Sequence, residues 1–394
     1  MKRIWSILGN YWVRVLAVAV LGIAFSAYLD EREALLNLRY RISEFIQGLN
    51  PRDQDAQRTT LVLITDEEYW KGELHGRAPI RRDYLAKLVN AAVDARAALI
   101  ALDFDFRSTS DDQPEPPEYR KETEELRNAI YNASSKGTKI ILTRTLGQAP
   151  DGSYVVEPDV YGADVLSWPN VYNGYHVLPD DVRSLPLAWP TANAGALDSF
   201  ALAIARAEQA PSVKRLKEHA EYYSGFLESS QFPTLTASEL LRKTRSEAVA
   251  NRVILISGVW HQDGYQRGAI VREWESPVGL IAGVYVHANY FEAIYDKRFY
   301  RLLEGWPVKG IELLLALMVA IPFHVNFGSR WKTLLIIIAP YVVVGLISYI
   351  LLITVFWFFD PSIPLLAVAA HGVYEKIHLW RKKAREFDQL PAKE

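Results

Sequence analysis

Apolar residues are distributed along this chain in three different ways. Tyr11 to Tyr28 is a nearly continuous apolar run, interrupted early by Arg14, and long enough for one bilayer crossing. From Asp30 to Ile46 the pattern changes. Leu35, Leu38, Ile42, Phe45 and Ile46 recur at helical spacing with Arg39, Arg41 and Glu44 between them, as in an amphipathic helix. The middle of the chain carries only short apolar runs. Beyond Trp306 and Pro307 long ones return, at Val308 to Phe327, Thr333 to Phe358 and Ile363 to Leu379.

The short runs predict strands. Thr59 to Thr65, Ala97 to Leu102, Lys139 to Thr143 and Val253 to Ser257 are too short for helices, and three of them end at Asp66, Asp103 and Gly258; buried parallel strands read this way. Between the first two, Ile80, Tyr84, Leu85, Leu88, Val89 and Ala92 mark one helix face. A polar loop from Ser108 to Glu118 leads into a charged helix that Gly137 terminates. Ser199 to Ala207 and Thr236 to Val249 predict two more helices, the second opened by a capping box of Thr236 and Glu239. After the strand at Val253 come a polar loop with Trp260, His261, Gln262 and Asp263, then Pro277-Val278-Gly279. A helix through Val284, Ala288, Tyr290 and Ile294 follows, with Gly279 and Gly283 allowing tight turns before it. This alternation predicts an α/β fold with a mainly parallel sheet and helices on both faces. Leu146 to Asn193, with Trp168, Tyr172, Tyr175, His176 and Trp189 among several prolines, breaks the alternation and predicts an irregular aromatic insertion.

Charge sets the orientation. Lys2, Arg3 and Arg14 lie at the N-terminal end, Arg330 and Lys332 between two apolar runs, and Arg381, Lys382, Lys383 and Arg385 after the last. Under the positive-inside rule all three groups lie in the cytoplasm. One N-terminal and three C-terminal transmembrane helices satisfy this, which puts the α/β domain outside the cytoplasm. Small residues at Ala24-Phe25-Ser26-Ala27 also permit a cleaved signal peptide; Arg14 and the amphipathic helix that follows favour an uncleaved anchor. The expected organisation is therefore a tip and transmembrane helix at 1–28, an extracytoplasmic domain at 29–307, a transmembrane cluster at 308–380 and a cytoplasmic tail at 381–394. The chain has no cysteine, which excludes disulfides, cysteine metal sites and thiol nucleophiles and suits an oxidising compartment. A net charge of −2 gives no reason to expect nucleic acid.

Candidate chemistry gathers at the carboxyl ends of the strands, where ligands bind in open α/β sheets. Asp66, Asp103 and Asp105 lie there, as do Arg144, His261 and Asp263, and these six are the ligand-binding candidates. Three carboxylates suit oxygen ligation of a divalent cation; equally, Asp66 and Asp103 suit capping of the following turns, or pairing with Arg77, Arg81 or Arg144. Spacing alone does not bring them together, so neither metal nor cofactor is expected. No serine elbow, phosphate loop or zinc motif accompanies them, and no enzyme is expected. Four residues are candidates for coupling the domain to the membrane. His287 sits mid-helix and suits a buried histidine bonded to a neighbouring carbonyl. Trp306 opens the C-terminal cluster, Glu312 is one turn from Lys309, and His371 sits deep in the third run, suited to packing or to proton sensing. His324 and Asn326 suit headgroup water.

The order of features resembles the CHASE domain of the second type, a cyclase- and histidine-kinase-associated sensory extracellular module. Leu38-Arg39-Tyr40-Arg41, Leu61 to Asp66, Pro79 to Leu88, Ala98 to Phe104, Val253 to Gly258 and, most specifically, Pro277 to Ala288 (PVGLIAGVYVHA) carry the likeness, which runs from Leu35 to the C-terminus. Family members usually carry a cytoplasmic output domain after the last helix, and the residues up to Glu394 leave no room for one. The resemblance implies a multi-pass inner-membrane receptor with a periplasmic sensory domain, acting through a separate effector. The alternative expectation is a structural subunit of a homo-oligomeric membrane assembly, with Trp168, Tyr172, Tyr175 and Trp189 as interface anchors.

Overall fold

The computed structural model describes residues 11–29, 33–48, 55–108, 116–217, 220–242, 246–267, 270, 273–303, 305–324, 330–360 and 362–388. Lys2, Arg3, Asn326 and the last residues to Glu394 lie outside them. In chain order the main elements are α1 (Tyr11–Leu29), α2 (Glu33–Gly48), β1 (Thr59–Ile64), α3 (Arg82–Asp94), β2 (Leu99–Asp103), α4 (Pro117–Ser135), β3 (Lys139–Arg144), β4 (Val171–Tyr175), α5 (Phe200–Ala207), β5 (Thr234–Thr236), α6 (Ala237–Leu241), β6 (Val253–Gly258), α7 (Gly283–Asp296), α8 (Trp306–His324), α9 (Arg330–Val355) and α10 (Ser362–Asp388). They divide into two compact units, one of Arg52–Phe299 and one of Met1–Pro51 with Tyr300–Glu394.

The first unit is built on a parallel sheet of β5-β1-β6-β2-β3-β4, six strands among the described residues. β6 runs between β1 and β2, with Thr59 opposite Val253 and Ser257 opposite Asp103. Side chains alternate across the sheet. Val62, Ile64, Ile100, Leu102, Ile140, Leu142, Ile254 and Ile256 face one side, where they pack with α3, α4 and α6. Leu61, Leu99, Ala101, Ile141 and Leu255 are equally buried on the side of α5 and α7. Each of these valines, leucines and isoleucines contributes roughly 1.5–3 kcal/mol by leaving water. Connection handedness decides the faces. The connections through α3, α4 and α6 all advance along the sheet in one direction, whereas that from β4 through α5 to β5 returns across it. Right-handed crossovers then place the first three helices on one face and α5 on the other, as found.

The predicted strands and helices form, with three corrections. The stretch from Leu146 to Asn193 is not wholly irregular: β4 lies inside it and pairs in register with β3 from Ile140↔Val171 to Arg144↔Tyr175. Its alternating, glycine-containing sequence VYNGY hides a strand whose Gly174 lets the start of α5 approach; an added Cβ would lie 2.8 Å from the Phe200 Cα. The helix at Thr236 forms its capping box but ends at Leu241, well short of Val249. Gly279 is the turn glycine expected, at φ +105°, whereas Gly283 is already the first residue of α7.

In the second unit α1 packs antiparallel on α10. Arg14 pairs with Glu375 at 2.6 Å, and an added Cβ at Gly22 would lie 3.1 Å from the Ala367 Cβ. On α2, Arg39 reaches Asp360, just before α10, at 3.1 Å. Val15 and Ala19 share a buried cluster with Ala316, Val319, Ala320, Val344, Leu365 and Val368. The second C-terminal apolar run does not stay helical to Phe358. It stops at Val355, Phe356 takes a left-handed φ of +60°, and Trp357–Phe358 pairs as a short strand with Arg301 and Leu302. The third lies within a longer helix, since α10 continues through the basic residues to Asp388. Among the described residues, one helix, Tyr11–Tyr28, is long and apolar enough by itself to cross a membrane.

Candidate functional site

The carboxyl edge of the sheet opens where chain direction changes. The chain leaves β1 and β2 toward α3 and α4 on one face, but leaves β6, which lies between them, toward α7 on the other. Adjacent strands whose connections part in this way leave a crevice. Here it is a cleft of about 420 Å³ lined by Tyr69, Pro79, Ile80 and Arg82 from the β1 side, Asp103, Phe104, Asp105 and Arg107 after β2, and Ser257, Gly258 and Trp260 after β6.

Gly258 shapes one wall. A Cβ there would sit 1.9 Å from a ring carbon of Trp260, so only glycine lets the indole lie against the strand end. The indole then stacks on Tyr69, with ring centroids 3.9 Å apart and planes within 6°. Tyr69 is in turn held by its hydroxyl, which donates to the Gly76 carbonyl at 3.1 Å. Two side chains from neighbouring elements thus form one parallel aromatic stack in the wall of the cleft.

The polar floor follows from register. Asp103 and Ser257 are paired residues of β2 and β6 and point to the α7 side, opposite Leu102 and Ile256. The Ser257 hydroxyl donates to Asp103 Oδ2 at 2.9 Å. From α7, His287 Nε2 lies 3.9 Å from Asp103 Oδ1, both side chains 3% exposed, and the imidazole meets Phe200 edge-on. Asp103 also lines a smaller cavity of about 180 Å³ with His176, Val177, Leu178, Trp274, Gly283 and His287. The carboxylate therefore lines both the cleft and a second, smaller cavity beside α7. At the rim, Asp105 Oδ2 accepts from Arg107 Nε at 2.8 Å, and Oδ1 accepts from the Arg107 amide and from Thr145 Oγ1 at 2.9 Å. Burial would raise the Asp105 carboxyl, but these hydrogen bonds outweigh it and hold it below its ordinary value.

Of the six predicted ligand-binding residues, Asp103 and Asp105 line the cleft. Asp66 does not: it neither caps the turn after β1 nor pairs with an arginine, but accepts from the His261 amide at 2.8 Å and meets His261 Nδ1 at 2.5 Å. Burial pushes its carboxyl up, and the bonds from His261 overcome this to lower it. His261 thus engages Asp66 through its backbone amide and Nδ1. Arg144 pairs with Asp159, whose carboxyl burial pushes up to about 6 in spite of that partner. Arg77 is clamped to Glu122 at 2.6 Å and Arg81 to Asp83. Asp263 is exposed in a turn. No group of three or more His, Asp or Glu able to hold a metal occurs among the described residues. Of the coupling residues, His287 faces the Asp103 carboxylate, Glu312 meets Lys309 at 3.3 Å as expected, Trp306 is 89% exposed, and His371 lies 3.9 Å from Glu375.

Sequence reasoning missed Tyr69, Arg82, Arg107, Ser257 and Trp260 as cleft residues. Ser257 left a trace, being the one hydroxyl in an apolar strand, and Arg107 stands two residues after Asp105, the spacing that puts side chains on one face of extended chain. The others reach the cleft through tertiary packing.

A crevice at the carboxyl edge of a parallel sheet, where neighbouring strands send their connections to opposite faces, is the place where open α/β sheets bind ligands. The chain matches the CHASE2 domain over residues 15–322 and belongs to that family, whose members are extracellular sensory domains. The match begins earlier than the expected Leu35, within α1, and stops within α8 rather than at the C-terminus. No curated protein and no solved structure matches the chain.

Proposed function

We propose that this chain is a membrane-anchored receptor whose α/β unit binds an envelope signal in the cleft and passes it to the helices that follow α7. The observation that carries this reading is Asp103: one buried carboxylate touches Ser257 in the ligand cleft and faces His287 on α7. A ligand that competes for Asp103 changes what holds α7, and such a ligand shifts the protein only as far as it favours one of two states. The anchor is α1, with α8, α9 and α10 as three further crossings, both ends cytoplasmic and the α/β unit periplasmic. The same reading makes the protein a receptor and not an enzyme. Asp103 stands between Ser257 and His287, so the histidine faces the carboxylate and not the serine hydroxyl, whereas a serine–histidine nucleophile needs the histidine on the hydroxyl. Its partners are the bilayer, further copies of itself and an effector protein.

The scaffold reading loses much of its motive. Tyr175 is 1% exposed, Trp168 packs edge-on against Tyr131 and Trp189 against Tyr154 and Tyr175, which leaves Tyr172 as the exposed member of that set. The receptor reading is tested with spin labels at Leu16 and Tyr374, exposed on α1 and α10, in the full chain in nanodiscs. Small-molecule fractions of the cell envelope are expected to change the label distance, and Asp103→Asn to abolish the change. A distance indifferent to every fraction removes the reading.

A further inference from the structure

In the second unit, one helix turns its polar side inward and its apolar side out. On α2, Arg39 and Ser43 are buried. Arg39 holds Asp360, and Ser43 Oγ lies 2.7 Å from the Tyr300 hydroxyl. Leu38, Ile42 and Phe45, four and then three residues apart, share one stripe of the helix. Arg39 and Ser43 sit roughly 100–140° round from Leu38, so the stripe faces away from the protein. Leu38 is 51% and Phe45 70% exposed, with Ile42 half-buried between them. An amphipathic helix ordinarily turns such a stripe to the core; here the protein covers the other side.

The position of α2 says what covers the stripe. At about 1.5 Å per residue, a helix running straight on from α1 would carry Arg39 about 20 Å beyond Ser26. Instead Arg39 Nη2 lies 3.5 Å from Ser26 Oγ, and Ser26 is within the last turn of α1. The middle of α2 therefore lies level with the end of α1 and with Asp360, in the turn between α9 and α10. Trp306, the first residue of α8, and Tyr28, next to last in α1, are exposed at that same end, since Tyr11 at the start of α1 donates to the Ala320 carbonyl near the end of α8. Exposed tryptophan and tyrosine at helix ends mark the membrane–water interface.

We propose that α2 is an interfacial helix seated in the outer leaflet of the bilayer. Leu38, Ile42 and Phe45 lie among the acyl chains just below the headgroups, and Arg41, exposed beside them, reaches headgroup level, as in helices that lie in the membrane surface. This inference rests on the membrane-anchored reading and adds to it a lipid-binding surface outside the crossing helices.

The test uses the full chain in phospholipid nanodiscs. The chain has no cysteine, so single spin labels can be placed at Leu38→Cys and Phe45→Cys on the stripe. Asn37→Cys, at an exposed polar position of α2, and Leu21→Cys, on the exposed apolar face of α1, serve as references. Collisions of each label with oxygen, which concentrates in lipid, are compared with collisions with a water-soluble nickel chelate. The Leu38 and Phe45 labels are expected to favour oxygen at a depth of roughly 5–10 Å, the Leu21 label to lie deeper, and the Asn37 label to favour the chelate. Stripe labels as open to the chelate as Asn37, with Leu21 still in lipid, overturn the inference and leave the membrane anchor standing. Stripe labels shielded from both reagents overturn lipid as the occupant, and a label-to-label distance between copies in one disc would put a second copy in its place. A Leu21 label open to the chelate removes the anchor, and the inference with it.

Discussion

Gly258 shows how much one missing methyl group decides. Gly258→Ala forces a Cβ into the Trp260 ring, so the indole must leave Tyr69 or the strand end must move. Overpacking of this kind costs about 1–3 kcal/mol. A lowered unfolding temperature is expected together with changed tryptophan emission; unchanged stability would mean that the indole has another place to go. Two aspartates give opposite dependences on pH. Asp66 has its folded-state pKa lowered from 3.8, so its contribution is present above that value and is lost as pH falls through the folded pKa. Asp159 is raised from 3.8 to about 6, so the folded form favours the proton and stability falls as pH rises between these values. Denaturant titrations across pH 3–7 are expected to lose the acid-side decline in Asp66→Asn and to flatten the slope from about 4 to 6 in Asp159→Asn. A slope unchanged in either variant would reassign it to another group.

At the scale of elements, the strands were legible because burial on both faces leaves short apolar runs that nothing else explains. β4 was not, since an edge strand needs one apolar face at most and VYNGY offers little of one. Helix ends were harder still. The capping box of α6 is local chemistry and was readable, whereas no local signal marks its stop at Leu241. The cleft shows the same division. Asp103 and Asp105 follow from strand ends, but the crevice exists only because α7 leaves on the opposite face from α3 and α4, a matter of strand order that no local pattern records. Between α1 and α10 the decisive residue is Gly22, which lets the helices approach closely, as small residues do between packed helices. Gly22→Leu is expected to push the pair apart and to lower the unfolding temperature in nanodiscs more than Glu375→Gln does. The Arg14–Glu375 pair is weakened by the 38% exposure of Arg14. The reverse ranking would make the ion pair, and not the close approach, the main bond between these helices.

For the whole molecule the decisive question is which side of the membrane holds the α/β unit. Family membership makes that unit extracellular in kind, and the basic residues after the last apolar run favour a cytoplasmic end for α10. The absence of cysteine from the chain lets each place be marked without background. Asp263 is exposed in the loop after β6 and Arg381 is exposed on α10, so a cysteine at either disturbs no packed side chain. In intact spheroplasts an impermeant maleimide is expected to label Asp263→Cys fully and Arg381→Cys only after the membrane is opened. On the proposed topology of three C-terminal crossings, labelling of both without permeabilisation would mean that one of these helices lies outside the bilayer. The candidate for that exception is α8, which buries Glu312 against Lys309 near its start. Replacing both by leucine is then expected to restore the protected state of Arg381→Cys, because the desolvation cost of a paired charge in hydrocarbon disappears with the pair.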